Sequence, residues 1–225
     1  MKFDLHIHSH FSPDSASCPK EILRRALQLG YGLIAITDHD ANAEAFDWLV
    51  GEGVLSAEGL LTSEWAERFG FPGITLSVLP GQEISTATGH LLCLGARLEP
   101  CPGILAVTAM TEIHRQGGLA IAAHPFDDWR SAYDPEELES LPFDAIEVFN
   151  GGATNAKVNQ AAGELAQRRR LPGVANSDGH TIAEIGRGCS EAEVSTSSPL
   201  APLLRLSIRV HTEKIEPRVV IGDSG

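Results

Sequence analysis

The sequence lacks any apolar run long enough to cross a membrane, since a spanning helix needs about 20 predominantly apolar residues and every apolar stretch here is interrupted sooner. Its first residues form neither the apolar core of a signal peptide nor a basic, acid-poor transit segment. We therefore expect a cytoplasmic location and no membrane partner.

Regularly spaced cysteines are also missing. The four cysteines, Cys18, Cys93, Cys101 and Cys189, show no CxxC pair, and disulfide frameworks and zinc knuckles both depend on recurring spacing. We predict four reduced thiols, with no disulfide and no thiolate zinc site.

Basic residues are scarce. Seventeen Lys and Arg stand against thirty Asp and Glu, for a formal net charge of −13. Such a balance repels a polyanion, so we expect no extended nucleic-acid binding. The excess of acidic residues has a second explanation. Carboxylates that bind divalent ions make the formal net charge more negative, because that sum does not include the ions.

Apolar strand patterns alternate with amphipathic helical patterns along most of the 225 residues. In chain order these are DLHIH, helical PKEILRRALQLG, GLIAITDHD, ITLSVLPGQE, helical ILAVTAMTEIHRQGG, LAIAAHPF, FDAIEVFN, helical NAKVNQAAGELAQRRR and PGVANSDGH. The alternation predicts a single α/β domain, either a barrel or an open doubly wound sheet. Residues 41–73 are predicted to be an insertion beside the site, and EISTATGHLLCLG a hairpin at the sheet edge.

Metal-ligating side chains follow the apolar strands where each one ends. They are His6, His8, Asp38, His39, Glu83, His124, Asp178 and His180, with His90 close by. The carboxyl ends of parallel strands meet at one rim. A single buried histidine is most simply explained by one hydrogen bond in the core. Five strand ends that all carry His, Asp or Glu are better explained by one shared metal cluster. Imidazole and carboxylate ligands without a thiolate suit zinc, manganese or iron, and argue against a structural zinc site.

The first strand carries the clearest signal. Strict alternation would send Phe3, Leu5 and Ile7 to one face and the side chains of residues 4, 6 and 8 to the other. His6 and His8 would then point the same way. Of the other histidines, His10 lies in the following loop and is a candidate for substrate contact, whereas His114 and His211 are expected at the surface or in packing.

Five ordered motifs carry a family resemblance: DLHIHSHFSPDS, AITDHD, PGQEIS with GHLL, AAHPF and ANSDGH. They resemble the PHP domain, named for polymerase and histidinol phosphatase, and specifically its small stand-alone phosphoesterases, some of which act on nucleotides. The resemblance implies a distorted (β/α)₇ barrel whose rim holds up to three divalent metals and hydrolyses phosphoesters. It places the domain at residues 1–195, with 196–225 completing the barrel and ending in a frayed tail.

The resemblance also implies ligand sets. His6, His8, Glu83 and Asp178 would hold one ion; Glu83 would bridge to a second, completed by His90 and His124; and Asp14, His39 and His180 would hold a third. Two to three ions of manganese, iron or zinc are therefore expected, with Glu83, Asp178 and His180 as catalytic residues. Asp38 is expected to accept a hydrogen bond that orients an imidazole. Glu147 is left open between a core role and such an orienting role.

The resemblance implies hydrolysis of a small phosphorylated substrate by metal-activated water, without a covalent enzyme intermediate. Arg187 and Arg130 are candidates to clamp a phosphate, and the proton donor to the leaving group stays open.

One alternative is an amidohydrolase, many of which use a carboxylated lysine, but none of the lysines at 2, 20, 157 and 214 ends a clear strand. The other is a non-catalytic metal-binding module, which should have lost ligands, whereas all nine positions are filled.

Overall fold

The computed structural model describes residues 1–127, 133–153 and 155–192, together with the backbone of 209–212. The strands are β1 (Lys2–Asp4), β2 (Tyr31–Ile36), β3 (Ser77–Ser85), β4 (His90–Leu94), β5 (Leu119–Ala123), β6 (Ala145–Asn150), β7 (Gly173–Asn176), β8 (Gly188–Glu191) and β9 (Arg209–Thr212). The helices are α1 (Pro19–Gln28), α2 (Glu44–Gly51), α3 (Ser63–Arg68), α4 (Ala106–Arg115), α5 (Pro135–Ser140) and α6 (Ala156–Arg169).

The strands form one sheet in the order β7-β6-β5-β4-β3-β2-β1-β8-β9. Neighbours from β1 to β3 and from β5 to β7 are parallel, whereas β4 is antiparallel to both β3 and β5. The expected hairpin of β3 and β4 is therefore present, but its expected position at the sheet edge is wrong, because β4 lies in the middle of the sheet. A strand that follows its neighbour through a tight turn, without a crossover helix, has to run antiparallel to it.

The sheet curls into a nearly closed barrel within a single α/β domain, which confirms the predicted fold class. The two sides of the sheet approach each other where β8 lies beside β7. The hydroxyl of Ser190 on β8 accepts a hydrogen bond from the Ala175 backbone N–H and donates one to its carbonyl. Just beyond the strand end, the His8 N–H donates to the Gly179 carbonyl over 3.0 Å.

Apolar residues fill the barrel interior and the layer between sheet and helices. The interior cluster includes Phe3, Leu33, Leu92 and Ile121 and draws on β1 to β7 without any helix residue. Two outer clusters pack the helices against the sheet. In α1, for example, Pro19 occupies the first turn, and Ile22, Leu23, Ala26 and Leu27 are buried; this i, i+3, i+4 spacing forms one apolar stripe.

The first strand is shorter than its sequence pattern predicts. β1 ends at Asp4, so the regular alternation does not continue as far as residue 8. Phe3 and Leu5 pack in the barrel interior, but Ile7 packs in an outer cluster beside α1. The expectation that all three share a face is therefore wrong for Ile7.

The segment 41–73 contains α2 and α3, with Leu55 and Leu61 joined by an antiparallel bridge. At the C-terminal end, β9 pairs antiparallel with β8, and the remainder of the expected tail lies outside the described residues. No helix in the described part of the chain has the length and apolar character needed to span a bilayer.

Candidate metal centre

Strand alternation places polar side chains at one end of the otherwise apolar barrel interior. On β3, Leu79 belongs to the interior cluster, and Glu83, four residues later, points to the same face because side chains repeat every two residues. The antiparallel β4 begins at this end with His90, two residues before the interior Leu92. Ser85 pairs with His90 and Glu83 with Leu92. The reversed strand therefore delivers its first residue, not its last, to the site.

Glu83 lies at the centre of the cluster, fully buried. Its two oxygens face different imidazoles. Oε2 lies 3.0 Å from Nε2 of His6, 3.2 Å from Nε2 of His8 and 3.3 Å from Nδ1 of His39. Oε1 lies 2.9 Å from Nδ1 of His90 and 3.0 Å from Nε2 of His124. One carboxylate thus connects two separate groups of nitrogen ligands.

Two further carboxylates flank Glu83. Asp178 Oδ1 lies 3.4 Å from His6 Nε2 and 3.3 Å from His8 Nε2. Towards the mouth, Asp14 Oδ2 lies 3.4 Å from His39 Nε2 and 3.1 Å from His180 Nε2. Asp14 exposes 47% of its side chain and Asp178 only 1%. The cluster therefore extends from a buried floor to an accessible rim.

All nine residues expected to bind metal lie together at this end of the barrel. Their ligand atoms form four overlapping groups, each within 4.8 Å: His6, Glu83 and His124; His6, His8 and Asp178; His39, Glu83 and His90; and His8, Asp14, His39 and His180. Seven of the nine line a cavity of about 300 Å³. The grouping differs in detail from the expected sets, because His8 also approaches the Asp14 group and His39 also approaches Glu83.

The donor set fits divalent ions. His124 Nδ1 is buried with no hydrogen-bond partner among the described residues. A buried polar atom without a partner is costly unless something else satisfies it. Nitrogen and oxygen ligands without sulfur suit zinc, manganese and iron. The residues at the barrel end therefore have both the chemistry and the unmet bonding capacity of a metal centre.

The electrostatics of the bare cluster favour positive charge between its carboxylates. Burial would raise the pKa of Glu83, but the surrounding imidazoles, His6 and His124 foremost, hold it well below the usual range. Burial would lower the pKa of His8, but hydrogen bonding to Asp178 and Glu83 raises it to about 9. The carboxylates thus stay ionised and attract cations, which are protons on imidazole or, in competition with them, metal ions.

Two of the clustered residues have a left-handed backbone. His124 has φ of 28° and Asp178 has φ of 50°, a region that non-glycine residues enter at a cost of about 1 kcal/mol or more. His124 follows directly on β5, and Asp178 lies two residues beyond the end of β7. Both residues belong to the ligand cluster, so these left-handed turns lie at the metal centre.

Glu147, which the sequence left open between a core role and an orienting role, contacts one of the ligand candidates. It is fully buried on β6, and its Oε1 lies 3.0 Å from Nδ1 of His6. Its carboxylate also accepts hydrogen bonds from Asn150 and Asn176. The two asparagines were not predicted from the sequence, although both lie at the ends of apolar strands, as several of the ligand candidates do.

The remaining expected residues have different surroundings. Asp38 does not orient an imidazole as expected: both its oxygens accept hydrogen bonds from Ser9 instead, which fixes the loop after His8. His10 is exposed and contacts the rings of Phe11 and Trp48. Arg187 donates to Glu184 over 3.0 Å, which in turn accepts from the backbone N–H of His180. Arg130 lies outside the described residues.

Comparison with known proteins agrees with a metal-binding barrel of this kind. Residues 4–94 match the PHP domain, and residues 157–205 match the PHP-associated region. An uncharacterized protein of Methanocaldococcus jannaschii is 31% identical over 183 residues, which cover 75% of this chain and 95% of that protein. The chain therefore belongs to the PHP family.

Solved structures share the fold at low sequence identity. A two-domain protein from Bacteroides vulgatus, described as containing a predicted PHP-like metal-dependent phosphoesterase, superposes with a TM-score of 0.70 at 20% identity, over 94% of this chain and 64% of that chain. A protein from Chromobacterium violaceum, described as an amidohydrolase with bound sulfate and no metal, gives a TM-score of 0.57 at 20% identity, over 82% and 89%. At these identities the likeness concerns the fold.

Proposed function

We propose that this protein hydrolyses a phosphoester bond in a small molecule, such as a nucleotide or a sugar phosphate, with two to three divalent metal ions held by the barrel-end cluster. The observation that carries the proposal is the position of Glu83, whose two oxygens face separate imidazole groups. A carboxylate in that position can bridge two ions. Metal pairs of this kind catalyse displacement at phosphorus by holding both attacking and leaving oxygens.

When bound, divalent ions supply Lewis acidity, which makes water nucleophilic at neutral pH and offsets charge on the phosphoryl group. The protein residues bind and orient. Glu83 and Asp178 provide buried negative charge, and His180 provides an imidazole at the mouth with Nδ1 3.0 Å from the Asp178 carbonyl. A proton on that Nδ1 would leave Nε2, next to Asp14, available as a ligand.

The mouth of the cavity suits a small substrate. Asp14, His39, His90 and His180 are partly exposed there, whereas the residues beneath are buried. Arg187 is half-buried and bound to Glu184, which also accepts from the His180 N–H, and we propose that it contacts the substrate phosphate. The net charge of −13 disfavours a long polyanionic substrate.

Turnover of p-nitrophenyl phosphate by metal-free protein reconstituted with Mn²⁺ tests the proposal. We expect metal-dependent release of p-nitrophenol that EDTA abolishes and Mn²⁺ restores. Bis(p-nitrophenyl) phosphate in parallel separates monoester from diester activity, and a panel of nucleotides and sugar phosphates then narrows the substrate. Tight metal binding without turnover of any of these would instead favour a non-catalytic metal-binding module.

An amidohydrolase is the second candidate, favoured by the structural likeness to the Chromobacterium violaceum protein. Against it, none of the described lysines lines the cavity. Lys20, for example, binds Glu52 over 2.9 Å and lies over the rings of Trp48 and Trp65. Release of p-nitroaniline from p-nitroacetanilide, without phosphoester turnover, would favour this candidate.

A further inference from the structure

We propose that Glu147 is a positioning residue that holds the His6 imidazole with its proton on Nδ1 and its Nε2 directed at Glu83 and Asp178, and thereby sets the affinity of the cluster for a divalent ion. The inference rests on the proposed metal centre. It assigns to a residue outside the nine ligands a measurable share in metal binding.

The Glu147 carboxylate faces hydrogen-bond donors on both sides. Oε1 lies 3.0 Å from His6 Nδ1 and accepts from Asn176 Nδ2 over 2.8 Å. Oε2 accepts from the His124 backbone N–H over 2.7 Å and from Asn150 Nδ2 over 2.9 Å. Two of these four partners are metal-ligand candidates, and Asn150 Nδ2 also donates to a third, Asp178.

Backbone N–H groups fix the direction of both asparagine amides. Oδ1 of Asn176 accepts from the Leu5 N–H over 2.9 Å, and Oδ1 of Asn150 accepts from the Gly152 N–H over 2.9 Å. A backbone N–H can only donate, so the amide oxygens face the backbone and the amide nitrogens face Glu147. The side chain at 147 must therefore accept from three of its four partners, the two amides and the His124 N–H.

This requirement decides the tautomer of His6. An ionised carboxylate has no proton to donate, so the nitrogen of His6 next to it must carry one. The opposite nitrogen, Nε2, lies 3.0 Å from Glu83 and 3.4 Å from Asp178, where a metal would bind. Carboxylates that orient a ligating imidazole in this way fix its tautomer and raise its basicity.

Glu147→Gln tests the proposal with almost unchanged side-chain volume. The amide nitrogen replaces one acceptor, and on either side it would face two donors. We expect the Zn²⁺ dissociation constant of the tightest site, measured by competition with a chromogenic chelator, to rise about 10–100-fold. In ¹⁵N-histidine NMR spectra of the zinc-loaded protein, we expect the His6 ring signals to shift.

Asp144→Asn is the matched control. Asp144 precedes the same strand, β6, at its opposite end, and its Oδ2 lies 2.8 Å from Nε2 of His114 and 2.8 Å from the Ala120 backbone N. It is a carboxylate–histidine contact of the same kind but away from the metal centre. We expect the zinc affinity of the Asp144→Asn variant to equal that of the unmodified protein. Circular dichroism and thermal unfolding report folding for every variant.

Glu147→Asp extends the test if the glutamine variant does not fold. It keeps the charge and the acceptors but retracts them by one methylene, so we expect a smaller loss of zinc affinity. Folded variants at position 147 with unchanged zinc affinity and unchanged His6 signals would overturn the inference and leave the proposed function standing. Failure of the unmodified protein to bind zinc, manganese or iron would overturn the proposed function as well.

Discussion

Asp14 and His180 are 166 positions apart in sequence, yet Oδ2 of the aspartate lies 3.1 Å from Nε2 of the histidine. The contact joins the loop after β1 to the loop after β7. His39 Nε2 lies 3.4 Å from the same aspartate oxygen. These three residues form the accessible side of the cluster, opposite the buried side around His6.

The separation of the cluster into a buried and an accessible side leads to a prediction about stoichiometry. Nine ligands are too many for one ion of four- to six-fold coordination. We expect elemental analysis after gentle purification, or after reconstitution of metal-free protein, to give two to three equivalents of manganese, iron or zinc. One equivalent or less after reconstitution would contradict the proposed arrangement.

A second prediction concerns Glu83, the only described carboxylate whose two oxygens approach separate imidazole groups. Glu83→Gln should reduce phosphoesterase turnover by more than about 100-fold, beyond the range typical of residues that only orient a ligand. His90→Ala should reduce it less, because His90 approaches one Glu83 oxygen only. Turnover and metal content are measured together on folded protein. Unmodified turnover with full metal content in Glu83→Gln would rule out the bridging role.

Metal-free protein should lose stability as the pH rises from about 6.5 to 9. The pKa of His8 is raised to about 9, so its protonated form stabilises the fold fully below the unfolded-state value near 6.5, and this contribution disappears as the pH passes the folded-state value. Each such group changes the free energy of unfolding by at most about 1.4 kcal/mol per pH unit. Urea unfolding at pH 7 and pH 9 measures the loss. The decline should be smaller in metal-loaded protein, because metal replaces the proton, and a decline of equal size in both forms would contradict this explanation.

Gly89 next to His90 has a specific packing role. A Cβ at this position would overlap the ring of Tyr133, whose hydroxyl donates to the His90 carbonyl over 2.7 Å. Gly89→Ala should therefore destabilise the protein by about 1–3 kcal/mol through overpacking and reduce metal binding by displacing His90. Gly163→Ala is the control, because Gly163 lies in α6 with no atom within 4 Å of an added Cβ, and it should stabilise by about 0.4–1 kcal/mol. Equal unfolding midpoints for the two variants would contradict the packing role.

Single-stranded DNA and RNA should bind weakly, if at all, at physiological salt. The net charge of −13 repels a polyanion. Fluorescence anisotropy with labelled oligonucleotides at several salt concentrations measures this. Tight binding at low salt that falls steeply as salt is added would contradict the preference for small substrates.

Much of the fold and site follows from local sequence patterns. Apolar strands with amphipathic helices predict an α/β domain, either a barrel or an open doubly wound sheet, because each segment can bury its apolar face in only a few ways. The ligand types are also local information, since His6, Glu83 and Asp178 each follow or end an apolar strand. Convergence at one rim follows from the geometry of parallel strands, and the five motifs indicate the PHP family.

Only the tertiary structure decided how these residues face one another. β1 ends at Asp4, so alternation alone misplaces Ile7. The tight turn makes β4 antiparallel to β3, but β4 lies in the middle of the sheet only because β5 pairs with its other edge. Glu147 has the same local pattern whether it packs in the core or orients a ligand. Its proposed role depends on His6, 141 residues away in sequence, and on the Asn176 amide, whose oxygen accepts from the Leu5 N–H 171 residues away. Hydrogen-bond direction is set by partners that the chain brings together only on folding.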